Sequence, residues 1–274
     1  MNKNILVFGQ GFFGKRVQSY LKCRISTQEI HLLADVEDEL KKFKPKIIIN
    51  CIGYTGERNV DDCERHKDKT LFANTFIPMF LAEAAIRGNI KLVHISSGCI
   101  FHYNYRTEKP ITENKIPDFF DLFYSRSKIY SELALSDLSS QHNILILRPR
   151  IPLDVYPHPK NLLNKLLKFS KIVDIPNSVT YVPDFLRALK HFILIDARGI
   201  YNTVNKGGLR YPKLLDVYKK FVPEFKYQKI DYRELRMVRT NLLLSVSKLE
   251  KTGFKVRNIN EALEECVKNY LKYS

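Results

Sequence analysis

Residues 4–17 read NILVFGQGFFGKRV, and this stretch decides the fold. A short apolar run of the kind that forms a buried strand comes first, and a helical pattern follows it. Between them, Gly9, Gly11 and Gly14 have the spacing G-x-G-x-x-G. Glycines at such a junction allow a tight turn and let a pyrophosphate approach the helix N-terminus. Three glycines near a turn can also be ordinary turn chemistry, but at the first strand-to-helix junction they indicate a dinucleotide site.

Apolar runs and helical segments alternate beyond this stretch. The clearest runs are KIIINCIG (46–53), KLVHISS (91–97) and NILILRPR (143–150), and CRIS (23–26) is the best candidate for the second strand. Such alternation implies right-handed crossovers between parallel strands. The continuous apolar character of KIIIN fits a strand that is buried on both faces. The predicted fold class is α/β, a Rossmann-type parallel sheet with helices on both faces and a smaller C-terminal substrate lobe.

The composition of the sequence changes after Arg150, where IPLDVYPHPKN is rich in proline and polar residues. Such a stretch is typical of a connecting loop. We predict a cofactor-binding domain over 1–150, to which 180–205 returns. Residues 151–179 and 206–274 are predicted to form mainly the substrate-binding lobe.

Charge and cysteine content restrict the partners. The formal net charge is +16, and the basic residues are spread along the chain. A solvated lysine-rich surface is the first interpretation, and binding of an anionic ligand is the second. No zinc-finger or RNA-recognition spacing occurs, so no nucleic-acid partner is expected. The five cysteines lack paired spacing, which argues against a disulfide framework and a metal site.

The distribution of apolar residues predicts the location of the protein. No apolar run approaches the ~20 residues that a bilayer-spanning helix needs. The first strand begins almost at once, which leaves no room for a signal peptide. We therefore expect a soluble, cytoplasmic protein without a membrane partner.

Two further motifs contain side chains that can take part in catalysis. HISSGCIF (94–101) places Ser97 at a strand end, and FYSRSK (123–128) contains Tyr-x-x-x-Lys. That spacing puts Tyr124 and Lys128 on one helical face. Lys128 can lower the pKa of the phenol, Tyr124 can protonate a ketone as hydride arrives, and Ser97 can donate to the same oxygen. An amphipathic helix with an exposed lysine is the alternative, although the ordered set of loop, serine and Tyr-x-x-x-Lys is more specific.

The motifs together resemble a known family, the extended short-chain dehydrogenase/reductases. Within it, the chain resembles the dTDP-4-dehydrorhamnose reductases and the bifunctional nucleotide-rhamnose synthases of plants. The matching stretches are NVDDCERHK (59–67), GCIF (98–101), FYSRSK (123–128), LRPRIP (147–152), KIVDIPNSVT (171–180) and, more loosely, NLLLSVSKL (241–249). The likeness extends over nearly the whole chain. One departure is the glycine loop, which is a residue shorter than the family's usual G-x-x-G-x-x-G.

The resemblance implies an activity, which is the NADPH-dependent 3,5-epimerisation and 4-keto reduction of UDP-4-keto-6-deoxy-D-glucose to UDP-L-rhamnose. It also implies a UDP-linked 4-keto-6-deoxyhexose as substrate and a homodimer, with the choice among UDP, dTDP and GDP left open. One alternative is a 4-reductase that acts only on an already epimerised sugar. Another is a non-catalytic regulator that senses the cofactor, against which the intact Ser, Tyr and Lys set argues.

The resemblance assigns the acid and base of epimerisation as well. The C4 ketone acidifies the hydrogens at C3 and C5, and Cys99 matches the cysteine base of related epimerising reductases. Lys165 is the predicted acid, and His158 is a weaker alternative. Otherwise Cys99 is a packing residue, and Lys165 faces solvent like Lys168.

The remaining predicted contacts involve cofactor and substrate. No acidic ribose ligand is evident, and Lys15, Arg16 and Arg24 suit a 2′-phosphate, which favours NADPH over NADH; solvated charges are the alternative. The predicted cofactor contacts are Gly9, Gly11, Phe12, Phe13, Gly14, Arg16, Arg24, Asp35, Cys51, Gly53, Tyr54, Tyr124 and Lys128. The predicted substrate contacts are Arg58, Asn59, Asn161, Asn177, Ser178 and Asn241, although buried asparagines can equally cap turns.

Overall fold

The structure is a computed structural model that describes residues 2–234 and 238–274. The strands, in chain order, are β1 (Asn2–Phe8), β2 (Cys23–Ile25), β3 (Ile47–Asn50), β4 (Lys91–Ile95), β5 (Ile144–Arg148), β6 (Pro152–Leu153), β7 (Lys171–Val173), β8 (Pro176–Asn177), β9 (Thr180–Tyr181), β10 (Gly199–Asn202), β11 (Leu209–Arg210) and β12 (Gln228–Ile230).

The helices, in the same order, are α1 (Phe12–Leu21), α2 (Leu33–Phe43), α3 (Asp62–Arg65), α4 (Lys67–Leu71), α5 (Ile77–Arg87), α6 (Phe123–Ser139), α7 (Leu162–Leu166), α8 (Val182–Leu194), α9 (Tyr211–Lys219), α10 (Ser247–Glu250) and α11 (Leu263–Lys272). A π-helical turn, Phe72–Phe76, joins α4 to α5. Short 3₁₀ turns cover Tyr232–Glu234 and Ile259–Ala262.

The chain divides into two compact units. The first contains Met1–Ile100, Pro117–Arg148 and Lys190–Tyr201, and the second contains Phe101–Ile116, Pro149–Leu189 and Asn202–Ser274. These ranges are not those of the predicted domains. Residues 101–116 group with the second unit, and the segment that returns to the first is 190–201 rather than 180–205.

A six-stranded sheet in the order β2-β1-β3-β4-β5-β10 forms the centre of the first unit. The pairs β1–β2, β1–β3, β3–β4 and β4–β5 are all parallel. Successive side chains of β1 are buried on opposite faces, because Ile5 and Val7 alternate with Leu6 and Phe8. A parallel sheet that is buried on both faces needs helices on both. The α/β fold class predicted from the sequence is confirmed, and the second strand lies at Cys23–Ile25.

The second unit has its own apolar core. Three two-stranded sheets, β6–β9, β7–β12 and β8–β11, surround helices α7, α9 and α11. The helices contribute fully buried side chains such as Leu163, Leu214 and Val267. Each such side chain stabilises the unit by about 1.5–3 kcal/mol relative to an exposed position. This core is separate from the one beneath the six-stranded sheet.

The described residues contain neither a helix suited to cross a membrane nor a cluster suited to bind a metal ion. Over 2–234 and 238–274, no helix combines the length and apolar character that a membrane crossing requires. In the same residues, no group of three or more His, Cys, Asp or Glu side chains is arranged to hold a metal ion.

A buried ion pair fixes α6 to the sheet. The Glu132 carboxylate accepts from Nε and Nη2 of Arg148 at 2.9 and 2.6 Å, and from Ser96 Oγ at 2.5 Å. Both charged side chains are only 1% exposed. One carboxylate therefore connects α6 with β5 and with the residue that precedes Ser97.

Replacing Glu132 by Ala is expected to destabilise the protein by about 3–5 kcal/mol, because the Arg148 charge would stay buried without its partner. Urea denaturation of the two proteins measures this difference. Glu83→Ala is the matched control, since it breaks an exposed pair with Arg87 on α5 that is worth about 0–1 kcal/mol. Equal losses in the two variants would contradict the prediction.

Candidate active site

The candidate site lies at the carboxyl ends of the central strands of the first unit. The chain leaves β1 toward β2 on one side, whereas β3 and β4 extend the sheet on the other. Ligands of open α/β sheets bind in the crevice at such a switch point. The glycine loop follows β1, Cys51–Tyr54 follow β3, and Ser96–Cys99 follow β4.

The glycine loop has two crowded positions and one open position. Gly9 has a φ of 99°, and a Cβ added there would lie 2.7 Å from the backbone nitrogen of Ile52. A Cβ on Gly14 would lie 1.7 Å from the carbonyl oxygen of Gly9. A Cβ on Gly11, which begins α1 at its N-cap, would meet nothing within 4 Å. Gly9 and Gly14 are thus required by the fold, whereas Gly11 leaves an open surface at the helix N-terminus.

The crowding at Gly14 and the open space at Gly11 predict different effects of an alanine substitution at the two positions. Gly14→Ala is expected to destabilise the protein, because backbone atoms 1.7 Å from the new methyl group must move. Gly11→Ala is expected to leave the melting temperature unchanged and to weaken dinucleotide binding at least tenfold. Thermal unfolding and titration with NADPH separate the two effects, and wild-type NADPH affinity in Gly11→Ala would contradict a cofactor role for this loop.

Other predicted cofactor contacts lie on or near the same loop. Phe12 and Phe13 are half-buried in the first turn of α1, with ring centroids 5.5 Å apart. Arg16 is half-buried one turn further on, and the Arg24 guanidinium lies 5.3 Å from the Phe43 ring. The Asp35 carboxylate accepts from the backbone N–H groups of two preceding residues at 2.8 and 2.9 Å, which lowers its pKa. Asp35 therefore caps α2.

Ser97 and Tyr124 lie together, as the sequence predicts. Helix α6 carries the tyrosine and begins at Phe123, whose N–H donates to Glu64 Oε1 at 2.5 Å. Burial raises the pKa of the Tyr124 phenol, and the charge of a Cys99 thiolate raises it further. The Ser97 hydroxyl opposes the shift as a hydrogen-bond partner of the phenol. The phenol therefore keeps its proton at neutral pH and can act as an acid.

Lys128 lies one helical turn beyond Tyr124 and is 3% exposed. Over the described parts of the chain, its ammonium group has no hydrogen-bond partner. Burial lowers the pKa of Lys128 to about 8, against the opposing effects of Glu132 and Cys51. A Cβ on Gly53 would lie 3.1 Å from the Lys128 Nζ atom. A buried cation without a partner beside a glycine is suited to hold the hydroxyl groups of a ligand.

The pH profile of reduction is expected to reflect Lys128. With a pKa of about 8, this lysine is charged below pH 8 and neutral above it. The charged form holds the hydroxyl groups of a bound ligand more strongly than the neutral amine does, so kcat/KM should fall as the pH rises through about 8. This parameter reports the ionisations of the free enzyme. A profile that stays flat from pH 7 to pH 9.5 would contradict the assignment.

Asn74 and His94 were not predicted as residues of this site. Asn74, in the π-helical turn, accepts from Tyr54 N–H at 2.8 Å and donates to Tyr54 O and Ser127 Oγ at 2.9 and 3.0 Å. On adjacent strands, Asn50 Nδ2 lies 3.0 Å from His94 Nδ1. Burial, with the nearby Lys128 charge, holds the pKa of His94 well below its ordinary value. A polar residue inside the apolar run TLFANTFIPMF was the available signal for Asn74.

Cys99 lies beside this set. It is half-buried, as is Cys51, whereas the other three cysteines are buried. Its N–H donates to Ser97 Oγ at 3.1 Å, and its carbonyl oxygen accepts from Ser125 Oγ at 2.8 Å. Cys51 lies beside the glycine loop, because its Cβ would lie 3.5 Å from a Cβ on Gly14. Burial raises the pKa of the Cys51 thiol well above its ordinary value.

The predicted substrate contacts are divided between the units. Arg58 and Asn59 lie in the first unit on an exposed turn before α3, where Asp62 Oδ2 accepts from the Arg58 N–H at 2.9 Å. Lys165 lies in the second unit, exposed in the last turn of α7. His158 is half-buried in the loop before that helix.

The predicted asparagines of the second unit hold the backbone. Asn161 accepts from two backbone N–H groups and donates to two carbonyl oxygens, which occupies its whole amide at the start of α7. Asn177 accepts from Arg150 Nη1 at 2.7 Å and donates to Asn241 Oδ1 at 2.6 Å. Ser178 Oγ accepts from a backbone N–H at 2.8 Å. In this group Asn241 has a buried amide nitrogen without a partner.

Arg150 is the residue of the second unit that the sequence did not identify as a site candidate. It is 2% exposed, and its guanidinium donates to Asn177 Oδ1, Ser178 O and Thr240. Its Nε atom is buried without a partner. A second arginine directly after a strand, in LRPR, was the signal that could have found it.

Comparisons with known proteins identify the family of the chain. The family model described as RmlD substrate binding domain matches residues 11–174. In Arabidopsis thaliana, the trifunctional UDP-glucose 4,6-dehydratase/UDP-4-keto-6-deoxy-D-glucose 3,5-epimerase/UDP-4-keto-L-rhamnose-reductase RHM2 is 30% identical over 85% of this chain. The chain spans only 36% of that relative.

Two further similar proteins are matched along most of their length. The bifunctional dTDP-4-dehydrorhamnose 3,5-epimerase/dTDP-4-dehydrorhamnose reductase of Arabidopsis thaliana is 29% identical over 96% of this chain and 92% of its own. The crystal structure of the L780 UDP-rhamnose synthase from Acanthamoeba polyphaga mimivirus has a TM-score of 0.89 at 26% identity. It covers 97% of this chain and 98% of its own.

The fold and these matches show that the chain is similar to the dTDP-4-dehydrorhamnose reductases. The chain belongs to the RmlD substrate binding domain family.

Proposed function

We propose that the protein converts UDP-4-keto-6-deoxy-D-glucose to UDP-L-rhamnose by 3,5-epimerisation and NADPH-dependent 4-keto reduction. The observation that supports this most strongly is the connection of Cys99 to the reducing pair. The Cys99 N–H donates to Ser97 Oγ at 3.1 Å, and the Ser97 hydroxyl lies close enough to the Tyr124 phenol to lower its pKa against the effect of burial. The Cys99 thiol is thereby held beside Ser97 and Tyr124, the two groups that would donate to the carbonyl oxygen of the substrate.

The residues of the first unit fit a dinucleotide cofactor. Gly11 leaves open space at the N-terminus of α1, where a pyrophosphate is stabilised. Lys128, a buried residue, provides an ammonium group beside Gly53 that has no hydrogen-bond partner among the residues that the structure describes. The half-buried Arg16 and Arg24 are suited to a 2′-phosphate, which favours NADPH. When bound, NADPH supplies the hydride for the C4 carbon.

In the reduction, Tyr124 gives its proton to the C4 oxygen while Ser97 donates a hydrogen bond to the same atom. The raised pKa of the phenol keeps that proton available. The charged form of Lys128 stabilises the phenolate that remains. Each of these groups acts on charge that develops at one oxygen, so the site favours the transition state over the ketone.

In the epimerisation, the Cys99 thiolate removes the proton from C3 or C5, and the electron pair moves onto the C4 oxygen as an enolate. Ser97 and Tyr124 stabilise that enolate as they would the alkoxide of reduction. Return of a proton to the opposite face of the carbon completes the inversion. Lys165 stays our candidate for that acid on the basis of the resemblance.

The second candidate function is 4-keto reduction alone, on a sugar that another protein has epimerised. It is favoured by the exposure of Lys165, our candidate acid, in the last turn of α7. The two functions differ when the purified protein alone receives UDP-4-keto-6-deoxy-D-glucose and NADPH. Stoichiometric NADPH oxidation with a UDP-L-rhamnose product supports our proposal, and reduction only after an epimerase is added contradicts it.

The nucleotide in this proposal is UDP because the L780 protein is named a UDP-rhamnose synthase, whereas the bifunctional Arabidopsis relative is named for dTDP sugars. Competition between UDP- and dTDP-linked substrates would test this choice. A homodimer and a cytoplasmic location stay predictions.

A further inference from the structure

We propose that Ser125 is a positioning residue for epimerisation, which fixes Cys99 through its main chain. This inference rests on the proposed function of Cys99 as the base. It concerns a residue that neither binds the sugar in our account nor belongs to the Ser, Tyr and Lys set.

The hydrogen bond of Ser125 differs from those of the other buried serines of α6. Serines inside a helix commonly donate to a carbonyl oxygen of the preceding turn. Ser127 and Ser131 do so, toward Tyr124 O and Lys128 O at 2.7 and 3.1 Å. Ser125, which is 1% exposed, donates instead to the carbonyl oxygen of Cys99 at 2.8 Å. It therefore joins the helix to the loop that follows β4.

This bond completes a two-point attachment of Cys99. Its N–H donates to Ser97 Oγ, and its carbonyl oxygen accepts from Ser125 Oγ. Both main-chain polar groups are thus used to set the position of the Cα atom and of the thiol that it carries. Ser125 is also the neighbour of Tyr124 in the chain, so the bond relates the position of the thiol directly to that of the phenol.

Loss of this bond should affect the two reactions unequally. Proton removal requires the sulfur to lie at a particular distance from the ring carbons, and a misplacement of about 1 Å can reduce a rate by about 10²-fold. Reduction uses Tyr124 and Lys128, which α6 itself carries. A defect of α6 as a whole would lower the rates of both reactions to a similar extent. Loss of the bond between Ser125 and Cys99 should lower the rate of epimerisation more than the rate of reduction.

The test uses Ser125→Ala in the full chain, with two rates measured. One is solvent deuterium uptake into UDP-4-keto-6-deoxy-D-glucose, and the other is NADPH oxidation with the epimerised ketone UDP-4-keto-L-rhamnose. We expect the ratio of uptake to oxidation to fall at least tenfold. Ser131→Ala, which removes a buried hydroxyl that donates only within α6, is the matched control and should keep the wild-type ratio. Ser125→Gly measures the same ratio should the alanine variant fail to fold.

Cys99→Ser distinguishes failure of this inference from failure of the proposed function. If Cys99→Ser loses deuterium uptake while Ser125→Ala keeps the wild-type ratio, Ser125 has no positioning role and the proposed function stands. If Cys99→Ser retains wild-type uptake, the base has been assigned wrongly and both proposals are overturned.

Discussion

Tyr124→Phe is expected to lower the rate of NADPH oxidation by about 10²–10⁴-fold, the usual effect of removing a positioned general acid. In our proposal the phenol is the acid of the site, and burial, which raises its pKa, keeps it protonated at neutral pH. Phenylalanine preserves the ring and its packing, and no other hydroxyl of α6 occupies that place. Stopped-flow absorbance of NADPH with the epimerised ketone measures the rate.

Two controls separate this effect from damage to the fold. Tyr130→Phe alters a 44%-exposed tyrosine of the same helix and should retain the wild-type rate. NADPH binding to Tyr124→Phe, followed by cofactor fluorescence, should stay within about threefold of wild type, because Lys128 and the glycine loop are unchanged. A Tyr124→Phe rate within tenfold of wild type would contradict the role of Tyr124 as the acid.

Cys99→Ser is expected to reduce deuterium uptake at C3 and C5 at least 10²-fold, which corresponds to removal of a general base. A serine hydroxyl is a far weaker acid than a thiol, so it supplies almost no anion at neutral pH. The main-chain bonds from Cys99 to Ser97 and Ser125 do not depend on the side chain, so the loop should keep its place. NMR of the sugar after incubation in D₂O measures the uptake.

The control for this prediction is Cys266→Ser. Cys266 is buried in the second unit, where its thiol lies 3.6 Å from Asp154 O, an acceptor that a serine hydroxyl can use. Its deuterium uptake should match that of the wild type. With Cys99→Ser, reduction of the epimerised ketone should persist, and equal losses of uptake and reduction would indicate general damage rather than removal of a base.

The sequence predicted the fold because the relevant signals are local. Apolar runs of strand length alternate with helical patterns, and the glycine positions follow from backbone crowding that any such turn imposes. The short second strand was also found from a four-residue run. The spacing of apolar residues predicts these features, and it can be determined from the sequence without knowledge of distant contacts.

Features that depend on distant contacts were not predicted. Residues 101–116 belong to the second unit partly because Ile111 forms a β-bridge with Leu244. No local sequence pattern predicts that pairing. The bond from Ser125 to Cys99 joins residues 26 positions apart.

The candidate site divides in the same way. Motif spacing was sufficient to place Tyr124 and Lys128 on one helix and Ser97 after β4, and the catalytic roles of these residues stay predictions. Motif spacing did not predict the hydrogen bonds of Asn161 and Asn177, whose side-chain amides bind other residues of the second unit. A motif identifies residue type and position, whereas the partners of a buried amide are set by the packing around it.

One measurement tests the central claim most directly. The purified protein is incubated in D₂O with protiated NADPH and UDP-4-keto-6-deoxy-D-glucose, and the product is analysed by NMR. Our account predicts UDP-L-rhamnose that carries deuterium at C3 and C5 and protium from the cofactor at C4. A product reduced at C4 without deuterium at C3 and C5 would contradict it, because the site would then reduce the ketone without acting on the neighbouring carbons.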